Sequence, residues 1–352
     1  VASQHLIYKA KEAKIFSRRQ NHFILTFERS KKVAGKRKNS LLTTVVTVIV
    51  AIVATVFGFN NGKPKEVNAT DSVSQSNTQR QQSASTSTAK ETLIYFLDVG
   101  QGDSELIRLK TGENILIDAG TKESEKELVS YIKELGVSKI DYLIATHPHA
   151  DHIGGMAQVV KQFDIGKIYM PKIPDKQVPT TVTYEKLLTE IDKKGLKITA
   201  AKAGMTIFQN GTEKFEILAP VSTKYDGLNS YSVVTKLTCG GKKFLFTGDA
   251  ETDSEKDMIS KNCDVKSDVL KCGHHGSSTS TSTAFLKAVN PTTAVISCGV
   301  DNDYGHPNKK ILNRLENANV KVYRTDSQNT ILAKCDGSSI NITENLKPVI
   351  KK

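Results

Sequence analysis

The sequence predicts an α+β domain in which two β-sheets pack face to face and helices cover their outer sides. Between residues 92 and 345, strand-like and helix-like segments fall into two successive groups, each with strands and then helices. A sheet with one apolar face must bury it, and two such sheets can bury each other. The 352 residues suffice for one large domain or two small ones.

The chain opens with a basic block. Residues 1–40 hold eleven Lys and Arg against two acids and carry most of the +12 formal net charge. Residues 60–91 add +1, which leaves +2 for the part expected to fold. A near-neutral domain removes bulk charge as an argument for nucleic-acid binding. Residues 41–59 read LLTTVVTVIVAIVATVFGF, without a charge. As a helix at about 1.5 Å per residue they reach roughly 28 Å, close to the hydrocarbon thickness of a bilayer. We expect an uncleaved single transmembrane segment here; a buried core helix and a cleaved signal peptide, with a weak site at VNA (67–69), are the competing readings. The positive-inside rule keeps the preceding KKVAGKRKN in the cytoplasm, so residues 1–40 form a cytoplasmic tail and everything after Phe59 lies outside. The expected location is the cell membrane, single-pass, with an extracellular domain. Residues 60–91 are rich in Ser, Thr, Gln and Asn. Such a segment buries too little apolar area to offset its ordering entropy and reads as a disordered linker.

Residues 92–352 are the folded domain. TLIYFLDVG alternates and ends in a Gly-Gln-Gly turn, and SELIRLKTGENILIDAG reads as two strands joined at Thr111-Gly112. KESEKELVSYIKELG carries Leu128, Ile132 and Leu135 at helical spacing and stops at Gly136. KIDYLIATH is a short apolar strand. In the second group KFEILAP, YSVVTKLTCGGKKFLFTGD, DVLKCGHHGS, TAVISCG, VKVYRTD and TILAKCDGSSINIT are strands; TYEKLLTEIDKKG, STAFLKAV and NKKILNRLENAN are helices. The five cysteines (Cys239, Cys263, Cys272, Cys298, Cys335) form no C-x-x-C pair and are expected as buried free thiols.

The strand KIDYLIATH runs into THPHADHIGG, Thr146 to Gly155, which holds three of the eight histidines. His147 and His149 are two apart, so in extended backbone they project to one side. Asp151 and His152 follow, and Gly154-Gly155 let the chain turn into the next helix. Imidazole and carboxylate together suit zinc, manganese or iron. Four such groups in six residues crowd a single ion, and two neighbouring ions sharing a carboxylate is the easier geometry. The further donors available downstream are His274, His275 and His306, with Asp118 in ILIDAG and Asp249 in FLFTGDAE at strand ends.

THPHADHIGG resembles the H-x-H-x-D-H motif of the metallo-β-lactamase superfamily, and TGDAE its later aspartate strand. The finer likeness is to the hydrolase domain of the ComEC competence protein and its free-standing relatives, through FLDVGQGDS, ILIDAG, LKCGHHGSSTSTS and DYGHP in that order. It covers about residues 92–345. The resemblance implies an αββα four-layer sandwich with metals at one edge. It implies His147 and His149 on a first divalent ion, Asp151 and His152 on a second, and Asp249 bridging. His274 is expected to complete the second site, with His275 as the alternative, and Asp118 to support it through hydrogen bonds. No histidine lies between His152 and His274, where many dinuclear members have one. The first site therefore looks one ligand short and weak or even empty, with Asn229, Ser230 or Ser232 standing where that ligand would fall. Zinc or manganese is the expected metal.

Two such ions suit phosphoester hydrolysis. Asp151 is the candidate to orient the water or take its proton. His306 is the candidate to bond a substrate oxygen or protonate the leaving group. Ser277 and Ser278 offer hydroxyls to an anion, beside a possible helix N-terminus. The expected function is a metal-dependent phosphodiesterase or nuclease resembling the ComEC hydrolase domain, with DNA as a candidate substrate. The alternatives are a hydrolase of a cell-envelope phosphodiester (a teichoic-acid or phosphocholine ester) and a non-enzymatic metal-binding envelope module. Nothing in the sequence sets an oligomeric state.

Overall fold

The computed structural model describes residues 91–350. In chain order its strands are β1 Thr92–Phe96, β2 Glu105–Arg108, β3 Asn114–Ile117, β4 Lys139–Ile144, β5 Asp164–Pro171, β6 Ile198–Ala201, β7 Thr206–Asn210, β8 Glu213–Ile217, β9 Thr235–Cys239, β10 Lys242–Phe246, β11 Val269–Lys271, β12 Thr293–Ile296, β13 Lys321–Arg324, β14 Thr330–Cys335 and β15 Ile340–Leu346. The helices are α1 Glu125–Glu134, α2 Ala150–Ile153, α3 Met156–Gln162, α4 Val182–Lys193, α5 Thr252–Ser260, α6 Thr283–Val289, α7 Lys309–Asn317 and α8 Thr325–Gln328. One sheet has eight strands in the order β15-β14-β1-β2-β3-β4-β5-β6, the other seven in the order β13-β12-β11-β10-β9-β8-β7.

Alternation along the strands builds the layers, because successive side chains leave a strand on opposite faces. In β1, Ile94 and Phe96 enter the core between the sheets, where they meet Phe215, Phe244 and Phe246. Tyr95 and, just past the strand, Leu97 point the other way, into a core shared with Leu128 and Ile132 of α1, Val159 of α3 and Leu187 of α4. In β10, Leu245 turns outward to Met258 of α5, Phe285 of α6 and Ile311 of α7. Three cores separate four layers, helix–sheet–sheet–helix, as the sequence predicts.

Pairing departs from the sequence reading. β14 and β15 belong to the second group along the chain, yet β14 pairs with β1, Cys335 opposite Thr92. That pairing is set by contacts more than two hundred residues apart, which local periodicity does not report. The strands β5, β6 and β7 and the helices α2, α5 and α8 were not anticipated either, whereas α3 follows Gly154-Gly155 as expected; several are short, and α5 is mostly polar.

The strands β3 to β6 run parallel to one another, and so do β10 to β13. Open parallel sheets gather ligands at the carboxyl ends of their strands. Asp118 follows β3, His147 follows β4, Asp249 follows β10 and His275 follows β11. Two sheets packed face to face thus aim four loops at one edge. Among the described residues no helix is long and apolar enough to cross a membrane; residues 41–59, the expected span, lie outside them, as do the tail and nearly all of the linker.

Candidate metal centre

Asp249 is the hub. Its Oδ1 lies 3.2 Å from His152 Nε2 and 3.7 Å from His275 Nε2. Its Oδ2 lies 3.8 Å from His147 Nε2 and 3.6 Å from His274 Nε2. One carboxylate therefore faces two groups of imidazoles with its two oxygens. Asp151 joins the Oδ1 group, its Oδ2 standing 3.1 Å from His275 Nε2 and 3.8 Å from His152 Nε2. His149 stands with the other group, its Nδ1 3.0 Å from His147 Nε2. Asp151, His152, Asp249 and His275 offer one ligand atom each, all within 4.8 Å of one another.

The donor set fits a cation. His152 Nε2 and Asp249 Oδ1 are buried and have no hydrogen-bond partner, which is costly for polar atoms unless something else satisfies them.

The HHGS pair divides differently from the expectation. His275, not His274, stands with Asp151 and His152. His274 lies against the other oxygen of Asp249, on the side of His147. Both residues have positive φ, 52° and 53°, so the backbone curls and neighbouring rings diverge to the two groups. Sequence order alone cannot tell which ring goes where. The position beside His147 that looked short of a histidine thus has one nearby, supplied by a later loop. Asn229 touches that ring, Nδ2 3.4 Å from His274 Nδ1. Ser232 Oγ lies 3.4 Å from His147 Nδ1. Ser230 points elsewhere and bonds Asp253.

A second ring of groups fixes the imidazoles. Asp118 is fully buried at φ 55°. It accepts from Thr146 N at 2.8 Å and Thr146 Oγ1 at 2.6 Å, and lies 2.7 Å from His152 Nδ1. His275 Nδ1 is 3.0 Å from Ser297 O and 3.2 Å from Asp103 Oδ1. The buried Lys271 donates to Asp103 Oδ2 at 2.6 Å. Glu251 Oε1 is 3.3 Å from His274 Nδ1. In each case the outer nitrogen is engaged, which orients the inner one. Asp103, Lys271 and Glu251 were missed as site residues, although Asp103 ends the Gly-Gln-Gly-Asp turn and Lys271 is the second residue of LKCGHHGS. Gly154 and Gly155 have ordinary φ of −57° and −87°. They are needed for close packing instead, since a Cβ on Gly155 would stand 2.5 Å from Ala119 O.

Electrostatics follow from burial and this crowding. Burial holds His147 well below its ordinary pKa. Burial also opposes charge on His275, but Asp249 and Asp103 outweigh it and lift that pKa to about 10. His152 is raised too, with Asp249 and Asp118 overcoming its burial. Burial opposes the Asp103 carboxylate, yet Lys271 and His275 bring its pKa down to about 2.

A cleft of about 600 Å³ opens over the centre, lined among others by Gln101, Asp151, Asn229, Tyr304 and His306. The His306 ring stacks between neighbours, 5.8 Å from Tyr304 and 6.3 Å from His275. Asn302 holds its backbone, accepting from His306 N at 3.0 Å. Burial, then the charges of His275 and His274, push its pKa down to about 4. Ser277 is buried and Ser278 exposed, and neither lines the cleft; Ser277 Oγ contacts Thr279 instead.

Residues 97–300, more than half of the chain, match the family model of the metallo-beta-lactamase superfamily. The chain belongs to that superfamily. Superfamily membership and the His/Asp cluster make it a metal-dependent hydrolase whose cofactors are divalent ions. It is 31% identical over 255 residues to ComE operon protein 3 of Bacillus subtilis (strain 168), covering 68% of this chain and 32% of the relative. It is 34% identical over 238 residues to Competence protein ComA of Neisseria gonorrhoeae, covering 67% and 31%. It is 32% identical over 242 residues to Recombination protein 2 of Haemophilus influenzae (strain ATCC 51907 / DSM 11121 / KW20 / Rd), covering 67% and 27%. The chain thus resembles ComEC-like competence proteins and spans about a third of the length of these relatives.

Proposed function

We propose that this superfamily member is a phosphodiesterase with DNA as its substrate, acting outside the membrane to which residues 41–59 tether it. The observation that carries the reading is Asp249, whose two oxygens face two groups of imidazoles. His147, His149 and His274 would hold one ion, and Asp151, His152 and His275 the other, with Asp249 between them. Imidazole with carboxylate suits zinc or manganese. Divalent ions held there lower the pKa of water and offset charge on phosphoryl oxygens.

The chain's own groups supply the rest. Asp151 and Asp249 both line the cleft, but the Asp151 side chain is the more exposed, at 35%, and it orients a water and accepts its proton. His306 is a neutral ring near pH 7, so it donates a single N–H to a substrate oxygen and does not deliver a proton as an imidazolium. Tyr304 is 72% exposed and lines the same cleft. An exposed ring beside a diester site favours a substrate with bases to stack over a polyol phosphate chain. The competence and recombination relatives support the same substrate.

The test is a panel with the full chain and added Zn²⁺ or Mn²⁺: single- and double-stranded DNA, a teichoic-acid polymer and a phosphocholine ester. Metal-dependent DNA cleavage is expected. Cleavage of an envelope ester without DNA moves the substrate to the cell wall, and metal binding without any hydrolysis removes the enzymatic reading. Protease added to intact cells is expected to remove the domain, and a protected domain contradicts the extracellular placement.

A further inference from the structure

The end of the sandwich away from the metal centre holds two thiols that face each other. Cys239 closes β9 in one sheet and Cys335 closes β14 in the other, and both are fully buried. Their contacts are reciprocal. Cys239 Sγ lies 3.7 Å from Cys335 O, and Cys335 Sγ lies 3.7 Å from Cys239 O.

Packed sheets usually stand about 10 Å apart, whereas a disulfide needs Cα atoms within roughly 4.4–6.8 Å. At this end the sheets pinch together. Gly241 N donates to Gly337 O at 2.7 Å, joining the β9–β10 turn to the β14–β15 turn. A Cβ on Gly240 would stand 2.5 Å from Gly337 O, and both glycines have positive φ, 59° and 98°. Only residues without side chains let the two turns touch, and their contact brings the adjoining cysteines together. Among the described residues no other two cysteines make such a reciprocal contact.

We propose that Cys239 and Cys335 are a disulfide site that staples the two sheets at the end opposite the metal centre. The oxidant is a small disulfide such as oxidised glutathione. The Cys239 thiolate attacks one of its sulfurs, forming a mixed disulfide and releasing one thiol. Cys335 gives up its proton and attacks the Cys239 sulfur, releasing the second thiol. Two electrons pass from the cysteine pair to the reagent. Cys239 is the better first nucleophile, because a hydrogen bond from Cys335 draws its pKa down. The proposed extracellular placement provides a compartment where such bridges persist. The cysteines are 96 residues apart, and a bridge closing so long a loop restricts the unfolded chain more than a short one does.

The test treats the full chain with a glutathione redox buffer, once as folded protein and once during refolding from guanidinium, so that burial of the thiols cannot hide the reaction. Titration in denaturant is expected to find three of the five thiols. Proteolysis is expected to yield a reducible peptide pair containing Cys239 and Cys335. The thermal midpoint of the oxidised chain is expected to exceed that of the reduced chain, with no such gain in Cys239→Ser or Cys335→Ser. Five thiols after both treatments, or a bridge between any other pair, overturns the proposal. A bridge that forms without raising the midpoint overturns the stapling role.

Discussion

His152 Nδ1 lies 2.7 Å from Asp118 Oδ2, and both side chains are fully buried. Asp118 also takes the N–H and hydroxyl of Thr146, so three donors converge on one carboxylate. The contact fixes the ring with Nε2 turned to Asp249. Asp118→Asn keeps the volume but loses one acceptor oxygen. Metal affinity is expected to fall about 10- to 100-fold while the far-ultraviolet dichroism stays that of the wild type. Unchanged affinity by competition with a chelating dye contradicts this role.

Lys271 and Asp103 form an ion pair behind His275, both about 1% exposed. Removing one partner of a buried pair strands the other charge. Lys271→Met is expected to cost about 3–5 kcal/mol in guanidinium unfolding. Adding Asp103→Asn is expected to recover part of it, because the stranded carboxylate goes. Equal stability of Lys271→Met and wild type contradicts the pairing.

Protons and metal compete at the centre. Without metal, His275 titrates near 10, above the ordinary value of 6.5, because Asp249 and Asp103 outweigh its burial. A ligand nitrogen must lose its proton to bind metal, so binding is expected to release protons at pH 7 and to tighten as pH rises. The stability sign is opposite for the metal-stripped chain. A raised folded pKa contributes fully below about 6.5 and is lost as pH climbs through about 10. Calorimetry in buffers of different ionisation enthalpy checks the release, and thermal midpoints at pH 7 and pH 10 check the stability. Binding without proton release at pH 7 contradicts the assignment.

Tyr304 is placed to stack a base at the cleft mouth. Base–aromatic stacking is worth about 1–3 kcal/mol, so Tyr304→Ala is expected to raise KM for single-stranded oligonucleotides about 5- to 150-fold. Tyr304→Phe, which keeps the ring, is expected to stay close to wild type. Equal KM values for Ala and wild type leave the ring without a part in binding.

The chemistry was legible where it was local. Four potential ligands in six residues mark His147, His149, Asp151 and His152 without any fold. Asp249 and Asp118 could be singled out because each ends an apolar strand. The division of His274 from His275 was not legible, since it rests on two left-handed residues in succession. Nor was the Lys271–Asp103 pair, whose members are 168 residues apart and meet only when the two sheets face each other. The same reason hid the Cys239–Cys335 contact between the sheets, and sequence separation hid the return of β14 to β1 within one sheet; periodicity describes one strand at a time.

The central claim is that Asp249 joins two metal-binding groups into one hydrolytic centre. The most direct measurement is hydrolysis of bis(p-nitrophenyl) phosphate by the full chain, stripped with chelator and then supplied with Zn²⁺ or Mn²⁺, beside Asp249→Ala. Activity that returns with metal in the wild type, and is absent from a folded Asp249→Ala at every metal concentration, is the expected result. Full metal-dependent activity in Asp249→Ala would contradict it.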